Sequence, residues 1–402
     1  MAVGEGDNTV TSRYTNIRNG AWYMQFRNGS NPWMARYAYI LMFTVTSLLA
    51  VAVRDYGFTT LNSIKVLKDY CNGGEDCSGI EGVLRVSLGC FMFYLVMFVS
   101  TVRTSKVNDR REKWHSGMWI PKILMMAVLI VIAFLLPTII ISIYGKGALL
   151  GAGIFLAIQL ISILSCITWL SNWCYSNKSK WNFTCKMLLG TIPPVLVLTV
   201  IIFMFVWYAP HRSCLIVVSI LIGTILIFLI MGVFAYRSSK VVQVEACYLN
   251  ASLMALYVEY ICWSTLKSIP QKRCMLKGGN AASKLDWLTI SSFVVAVLAI
   301  VISTFSTGIN SKRFLLRQPN EQQQDDDVPY GYGFLHFVFA TATMLFSMQL
   351  VGWNDNDHMN KFTIDIGWIG TWVGIVHECV VAAFYVYYIT SCTNQAAEGT
   401  PV

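Results

Sequence analysis

Polar side chains that could bind a ligand or carry a proton occur within long apolar stretches of this sequence. They are Lys122, Gln159, Glu259, His336, Gln349, His377 and Glu378. A charged side chain at the centre of a bilayer costs about 2.5–3.5 kcal/mol on insertion scales, so each needs a physical reason. One reason is a polar groove that passes lipid headgroups or ions. The other is a hydrogen bond or ion pair between helices, worth about 0.6–2 kcal/mol. For any single residue the second interpretation is favoured, and for the whole set both stay open.

Motifs of enzymes are missing around these residues. The sequence contains no GxSxG nucleophile elbow and no HExxH zinc motif, since His377-Glu378 is followed by Cys-Val-Val. It also contains no P-loop, so ATP-driven transport is not encoded in this chain. These absences predict a protein that is not an enzyme and that needs neither a metal nor another cofactor.

The composition indicates what must position the polar residues. Of 402 residues, 55% are hydrophobic and only 13% are charged, and the mean hydropathy is +0.55. A soluble domain carries about 25% charged residues. The apolar residues here form runs of about 20, long enough to cross a bilayer as helix. The sequence predicts an all-α, polytopic integral membrane protein and excludes a soluble enzyme, a secreted disulfide scaffold and a disordered chain.

Uninterrupted apolar windows predict ten transmembrane helices. They cover roughly 35–53, 83–103, 118–144, 148–172, 187–208, 214–236, 246–266, 287–308, 331–352 and 366–391. Pro137 falls in the middle of the third, where a proline bends a helix. The chain thus divides into a tail (1–34), a membrane domain (35–391, with a flexible acidic loop at 309–330) and a second tail (392–402).

Lys and Arg residues predict the orientation. With the N-terminus in the cytosol, 17 of them lie on the cytosolic side and 11 on the other, leaving out Arg85 and Lys122 within the helices. The positive-inside rule therefore favours cytosolic N- and C-termini. The net charge of +9 fits contact with anionic lipid headgroups better than nucleic-acid binding.

Cys71 and Cys77 lie six residues apart in the first predicted non-cytosolic loop. An oxidising compartment would allow a disulfide between them, and two free thiols are the alternative. A zinc site is disfavoured because no CxxC or paired His accompanies them.

Small residues indicate where helices could approach closely. The pairs Gly147-xxx-Gly151 and Gly370-xxx-Gly374 give faces without bulky side chains.

Four stretches together resemble the serine incorporator family, most of all its plant members. They are Asn31-Pro-Trp-Met-Ala-Arg36 with Arg54-Asp-Tyr-Gly57; Thr104-Ser-Lys106 with His115-Ser-Gly-Met-Trp119 and Lys122; Leu256-Tyr-Val-Glu-Tyr-Ile-Cys-Trp-Ser264 with Pro270 and Cys274; and Tyr330-Gly-Tyr-Gly-Phe-Leu-His-Phe337 with Trp353. The similarity extends over nearly the whole chain.

The resemblance implies ten transmembrane helices in two bundles, with a long tilted helix between them at the fourth span. It implies a passive phospholipid scramblase that moves phosphatidylserine and other phospholipids between leaflets. The alternative is a serine carrier or scaffold that supports enzymes of phosphatidylserine and sphingolipid synthesis. The partners would be membrane phospholipids, and serine or lipid-synthesis enzymes in the alternative.

The expected location is the endoplasmic reticulum and Golgi, the plasma membrane, or both. The sequence leaves open whether the protein forms a homo-oligomer. In the fourth span this chain departs from the family, because Ser165 and Thr168 replace an Asp and a His.

Overall fold

The computed structural model describes residues 32–64, 70–71, 74–104, 110–176, 180–208, 215–239, 244–269, 294, 330–352 and 367–397. Within these residues every regular element is a helix. Six of the described helices are long and apolar enough to cross a membrane, and a bent helix pair would make a seventh. The predicted class, an all-α polytopic membrane protein, is confirmed. The eighth predicted span, at roughly 287–308, lies outside the described residues except for position 294.

Eleven helices make up the described part of the chain. They are α1 (Pro32–Tyr56), α2 (Phe58–Leu61), α3 (Glu75–Thr101), α4 (Arg110–Ser116), α5 (Trp119–Leu135), α6 (Thr138–Ser176), α7 (Lys180–Tyr208), α8 (Leu215–Ser239), α9 (Val244–Ser268), α10 (Tyr332–Val351) and α11 (Trp368–Ala397). Helix α11 continues beyond the predicted end of the tenth span, into part of the predicted tail. The N-terminal tail as far as residue 31 and nearly all of the acidic loop lie outside the described residues.

The boundary predicted between the third and fourth spans is wrong. The chain breaks at Pro137, and α6 then runs for 39 residues through the sequence assigned to a loop, so that Lys146 lies within the helix. Proline lacks an N–H and drives the residue before it out of helical geometry. Leu136 accordingly has φ −69° and ψ 147°. A helix of 39 residues is about 58 Å long, well beyond the hydrocarbon thickness of about 30 Å.

A second break separates α4 from α5. The two helix axes are bent by 71°, and Met118 at the bend has φ 55°. This left-handed conformation is uncommon for a residue other than glycine. The bend turns the short, basic α4 away from the apolar α5.

The chain folds as two compact units. The first contains Met1–Phe155 and Val294–Met348, and the second contains Leu156–Phe293 and Gln349–Val402, so α6 contributes residues to both. This division agrees with the two bundles that the family resemblance implies. In the first unit α3 packs on α1 and α5; in the second, α9 packs on α7, α8 and α11.

Candidate functional site: two buried polar clusters

The structure gathers most of the predicted polar residues into two clusters, one in each unit. Lys122 of α5 and His336 of α10 lie in the first unit, whereas Glu259 of α9 and the pair His377-Glu378 of α11 lie in the second. The other two predicted residues belong to neither cluster and are partly buried. They are Gln159 of α6 and Gln349 near the end of α10.

The centre of the first cluster is His115, the penultimate residue of α4. Its Nδ1 lies 3.0 Å from Nε2 of His336, and its Nε2 lies 3.0 Å from the hydroxyl of Tyr330. Both histidines are fully buried. A neutral imidazole donates from one nitrogen and accepts at the other, so the three groups form one directed chain of hydrogen bonds. We call His115, His336 and Tyr330 the imidazole cluster.

Lys122 secures the end of helix α4. Its Nζ donates to the carbonyl oxygen of His115 at 2.8 Å, and the hydroxyl of Tyr39 donates to the same oxygen at 2.8 Å. This carbonyl lies in the last turn of α4, where the bend removes the intrahelical donor that would otherwise satisfy it. The ammonium also lies 4.3 Å from the ring centre of Trp119, a cation–π contact.

The imidazole cluster is closed to solvent. The ring of Tyr332 stacks on His115 with centroids 4.0 Å apart and planes 10° apart. Burial, then the neighbouring His336 and Lys122, lower the pKa of His115 well below its usual value, so the imidazole is neutral at physiological pH. Close stacking and filled hydrogen bonds at His115 are typical of helix packing.

Two further buried charged side chains of the first unit, Arg85 and Glu81, were not among the candidate site residues of the sequence. Arg85 of α3 is fully buried and forms an ion pair with Glu81, with Nη2 3.2 Å from Oε2. Its Nη1 also donates to three carbonyl oxygens at the end of α5, those of Ala133, Phe134 and Leu136, at 2.9, 3.1 and 2.7 Å. The signal in the sequence was the i, i+4 spacing of opposite charges inside an apolar span, followed by a proline in the next span.

Arg54 and Asp55 form another buried ion pair, with Nε 2.7 Å from Oδ1. Both belong to the Arg-Asp-Tyr-Gly stretch at the end of α1. Just beyond it, a disulfide joins Cys71 to Cys77, with Cα atoms 5.6 Å apart. Among the described residues no group of three or more His, Cys, Asp or Glu could hold a metal ion.

The second cluster contains two carboxyl groups on facing helices. Glu259 and Glu378 are only 2% and 3% exposed. Glu378 lies beside Thr224 of α8, whose Oγ1 donates to the sulfur of Cys262 at 3.2 Å. Cys262, one turn after Glu259, interacts electrostatically with both carboxyl groups. We call Glu259, Glu378, Thr224 and Cys262 the carboxyl site.

Gly374 lets α11 approach α9 at this site. Gly374 lies one turn before Glu378 along α11, and a Cβ at this position would overlap the side chain of Thr265 of α9. The close approach expected of the small residues is also found at Gly151, which faces Met344, whereas Gly147 has nothing within 4 Å. Glycine thus determines how near Glu378 comes to α9.

Several polar atoms in the second unit have no hydrogen-bond partner. They are Oε1 of Glu259, Oε1 of Glu378, Nε2 of His377, Oδ1 of Asn250 and Oε1 of Gln349. An unsatisfied polar group in an apolar interior is costly, so these atoms mark places where a mobile partner could bind. In the substituted part of α6, the hydroxyl of Thr168 lies 3.3 Å from that of Tyr388.

The fold and its buried polar side chains define a polytopic helical membrane protein with polar clusters inside its helix bundles. The sequence model of the family described as serine incorporator (Serinc) matches residues 21–328 and 310–392. The chain belongs to the serine incorporator family.

The similarity of this chain to its relatives extends along most of their length. A probable serine incorporator of Dictyostelium discoideum is 26% identical over 342 residues, covering 79% of this chain and 81% of the relative. A probable serine incorporator of Nematostella vectensis is 23% identical, and the match covers 81% of this chain and 82% of the relative. Serine incorporator 3 of Mus musculus is 19% identical, covering 90% and 91%.

Proposed function

We propose that this protein is a passive phospholipid scramblase that moves phosphatidylserine and other phospholipids between leaflets. The observation that carries the proposal is the set of unpartnered polar atoms on α9 and α11, above all the carboxyl oxygens of Glu259 and Glu378. Ionisable groups inside spans mark substrate pathways when neighbouring side chains do not neutralise them.

The mechanism needs binding and no bond chemistry. A headgroup crossing the bilayer loses its water, and polar side chains along the path replace part of that hydration while the acyl chains stay in lipid. The family is not known as a catalytic one, and the sequence contains no GxSxG, HExxH or P-loop motif. We therefore propose that the protein is not an enzyme and needs no cofactor.

Reconstitution into liposomes tests this function. Fluorescent phosphatidylserine and phosphatidylcholine would be placed in both leaflets, and dithionite would be added outside without nucleotide. Empty liposomes keep the fluorescence of their inner leaflet. The proposal expects protein-containing liposomes to lose most of it, and a loss equal to that of empty liposomes contradicts the proposal.

The alternative function is favoured by the names of the relatives, which are serine incorporators. A serine carrier or scaffold for lipid-synthesis enzymes would bind serine in a saturable manner and copurify with those enzymes. Equilibrium binding of radiolabelled serine to the purified protein distinguishes the two functions when no lipid moves.

We propose cytosolic N- and C-termini in a protein of the endomembrane system, the plasma membrane or both. The disulfide between Cys71 and Cys77 supports this orientation, because disulfides persist in oxidising compartments and are rare in the cytosol. Labelling of an N-terminal tag in intact and in permeabilised cells tests it, and labelling without permeabilisation would contradict it.

A further inference from the structure

We propose that the carboxyl site recognises a primary ammonium group, the chemical feature shared by aminophospholipid headgroups and free amino acids such as serine. The inference rests on the proposed function and names the substrate class that the protein prefers. It assigns Glu259 and Glu378 as the acceptors and Thr224 as the residue that positions Glu378.

The first step is that, among the described residues, no cationic side chain forms an ion pair with either carboxyl group of this site. The pairs Arg54 with Asp55 and Arg85 with Glu81 both lie in the first unit. A buried carboxylate needs a paired charge and hydrogen bonds to offset its lost hydration. A cationic ligand would supply both.

The second step is the state of the carboxyl oxygens. Both residues are more than nine-tenths buried, and each has an oxygen, Oε1, without a hydrogen-bond partner. Cys262 lies one turn after Glu259 on α9, and its sulfur is 3.2 Å from the hydroxyl of Thr224, which lies beside Glu378. The site therefore offers a buried acceptor without a partner on each of two helices that pack together.

The third step matches these acceptors to a ligand. A primary ammonium carries three N–H donors and a full positive charge, so it can donate to one oxygen from each helix. The quaternary ammonium of phosphatidylcholine has no N–H, and phosphatidylglycerol has no cation. The site should therefore prefer phosphatidylserine and phosphatidylethanolamine to those two lipids.

The experiment compares four lipids in the dithionite assay. The probes are phosphatidylserine, phosphatidylethanolamine, phosphatidylcholine and phosphatidylglycerol with the fluorophore on an acyl chain, so that each headgroup is unmodified. The proteins are wild type, Glu259→Gln, Glu378→Gln and a matched control, Glu75→Gln, which makes the same change at an exposed residue in the first turn of α3.

We expect wild type and Glu75→Gln to move the two aminophospholipids faster. In Glu259→Gln and Glu378→Gln the rates for these two should fall about tenfold, equivalent to about 1.4 kcal/mol. The rates for phosphatidylcholine and phosphatidylglycerol should fall less, so that the preference for aminophospholipids shrinks. Thermal unfolding in detergent checks folding, and Thr224→Val serves as a second variant that keeps both carboxyl groups and should slow aminophospholipids more than the other two lipids.

The other outcomes separate the two proposals. Equal rates for all four lipids in wild type and variants overturn the ammonium site and leave the scramblase standing. If no lipid moves in wild type, the scramblase fails, and binding of radiolabelled serine to the purified protein tests the site. Serine binding that Glu259→Gln abolishes assigns the site to a free amine, and its absence overturns the site too.

Discussion

Arg85 donates a hydrogen bond from Nη1 to the carbonyl oxygen of Ala133, 2.9 Å away, on a different helix. In a continuous helix the N–H four residues later would donate to this oxygen, but that residue is Pro137, which has none. Arg85 thus replaces the donor that proline removes. One side chain of α3 stabilises the end of α5 at the break before the 39-residue helix α6.

Replacing Arg85 by Met should destabilise the first unit strongly. The change removes the ion pair between Arg85 and Glu81 and the hydrogen-bond donor at the end of α5, and breaking a buried pair costs about 3–5 kcal/mol. Thermal unfolding in detergent measures the effect. Arg111→Met, an exposed change, is the control. In a Pro137→Ala background the cost should be smaller, because alanine restores an N–H to Ala133, and an equal cost would disprove the capping role.

Stability should fall as the pH is lowered through the titration of His115. The pKa of this imidazole in the folded state is lowered by burial first, and then by His336 and Lys122. Between that value and 6.5, the unfolded chain binds a proton that the folded protein excludes, so stability rises with pH and is lost on acidification. Tyr330 and Tyr332, which also face the ring, stay neutral over this range.

The measurement is the melting temperature in detergent from pH 7.5 down to about pH 5, compared with His115→Gln. One titrating group can contribute a loss of up to about 1.4 kcal/mol per pH unit. The variant should be less stable at neutral pH and should depend less on pH. An unchanged pH profile in His115→Gln would show that this residue does not carry the dependence.

Lys122→Met should loosen the junction of α4 and α5. Methionine keeps the length of the side chain but removes the donor to the carbonyl of His115, leaving Tyr39 as its donor. We expect a loss of about 1–3 kcal/mol in the free energy of unfolding. Lys113→Met, an exposed change in α4, is the control. Equal melting temperatures for the two variants would argue against this contact.

Gly374→Ala should push α11 away from α9. The added Cβ overlaps Thr265, so we expect a loss of about 1–3 kcal/mol from overpacking. Gly232→Ala in α8 is the matched control, since its Cβ would meet nothing within 4 Å. Adding Thr265→Ala should restore part of the stability of Gly374→Ala. If the second change brings no recovery, the steric explanation is wrong.

The sequence predicted several of the membrane helices and misplaced the start of one. The apolar runs predicted α1, α3, α8, α10 and α11, because burial in lipid demands continuous apolar helix. They misplaced the start of α6, because the chain breaks at Pro137 and the predicted loop at 145–147 lies within α6. Glycine is tolerated inside a membrane helix because the bilayer core contains no water that could hydrogen-bond to an unwound backbone.

The sequence by itself determined that this protein is a helical membrane protein of the serine incorporator family, since hydropathy and local motifs are properties of neighbouring residues. Only the tertiary structure decided which polar groups meet. His115 and His336 are 221 positions apart, and α11 comes close to α9 one turn before Glu378 because Gly374 leaves room for Thr265. Such contacts depend on how helices pack in three dimensions, which periodicity along one helix does not encode.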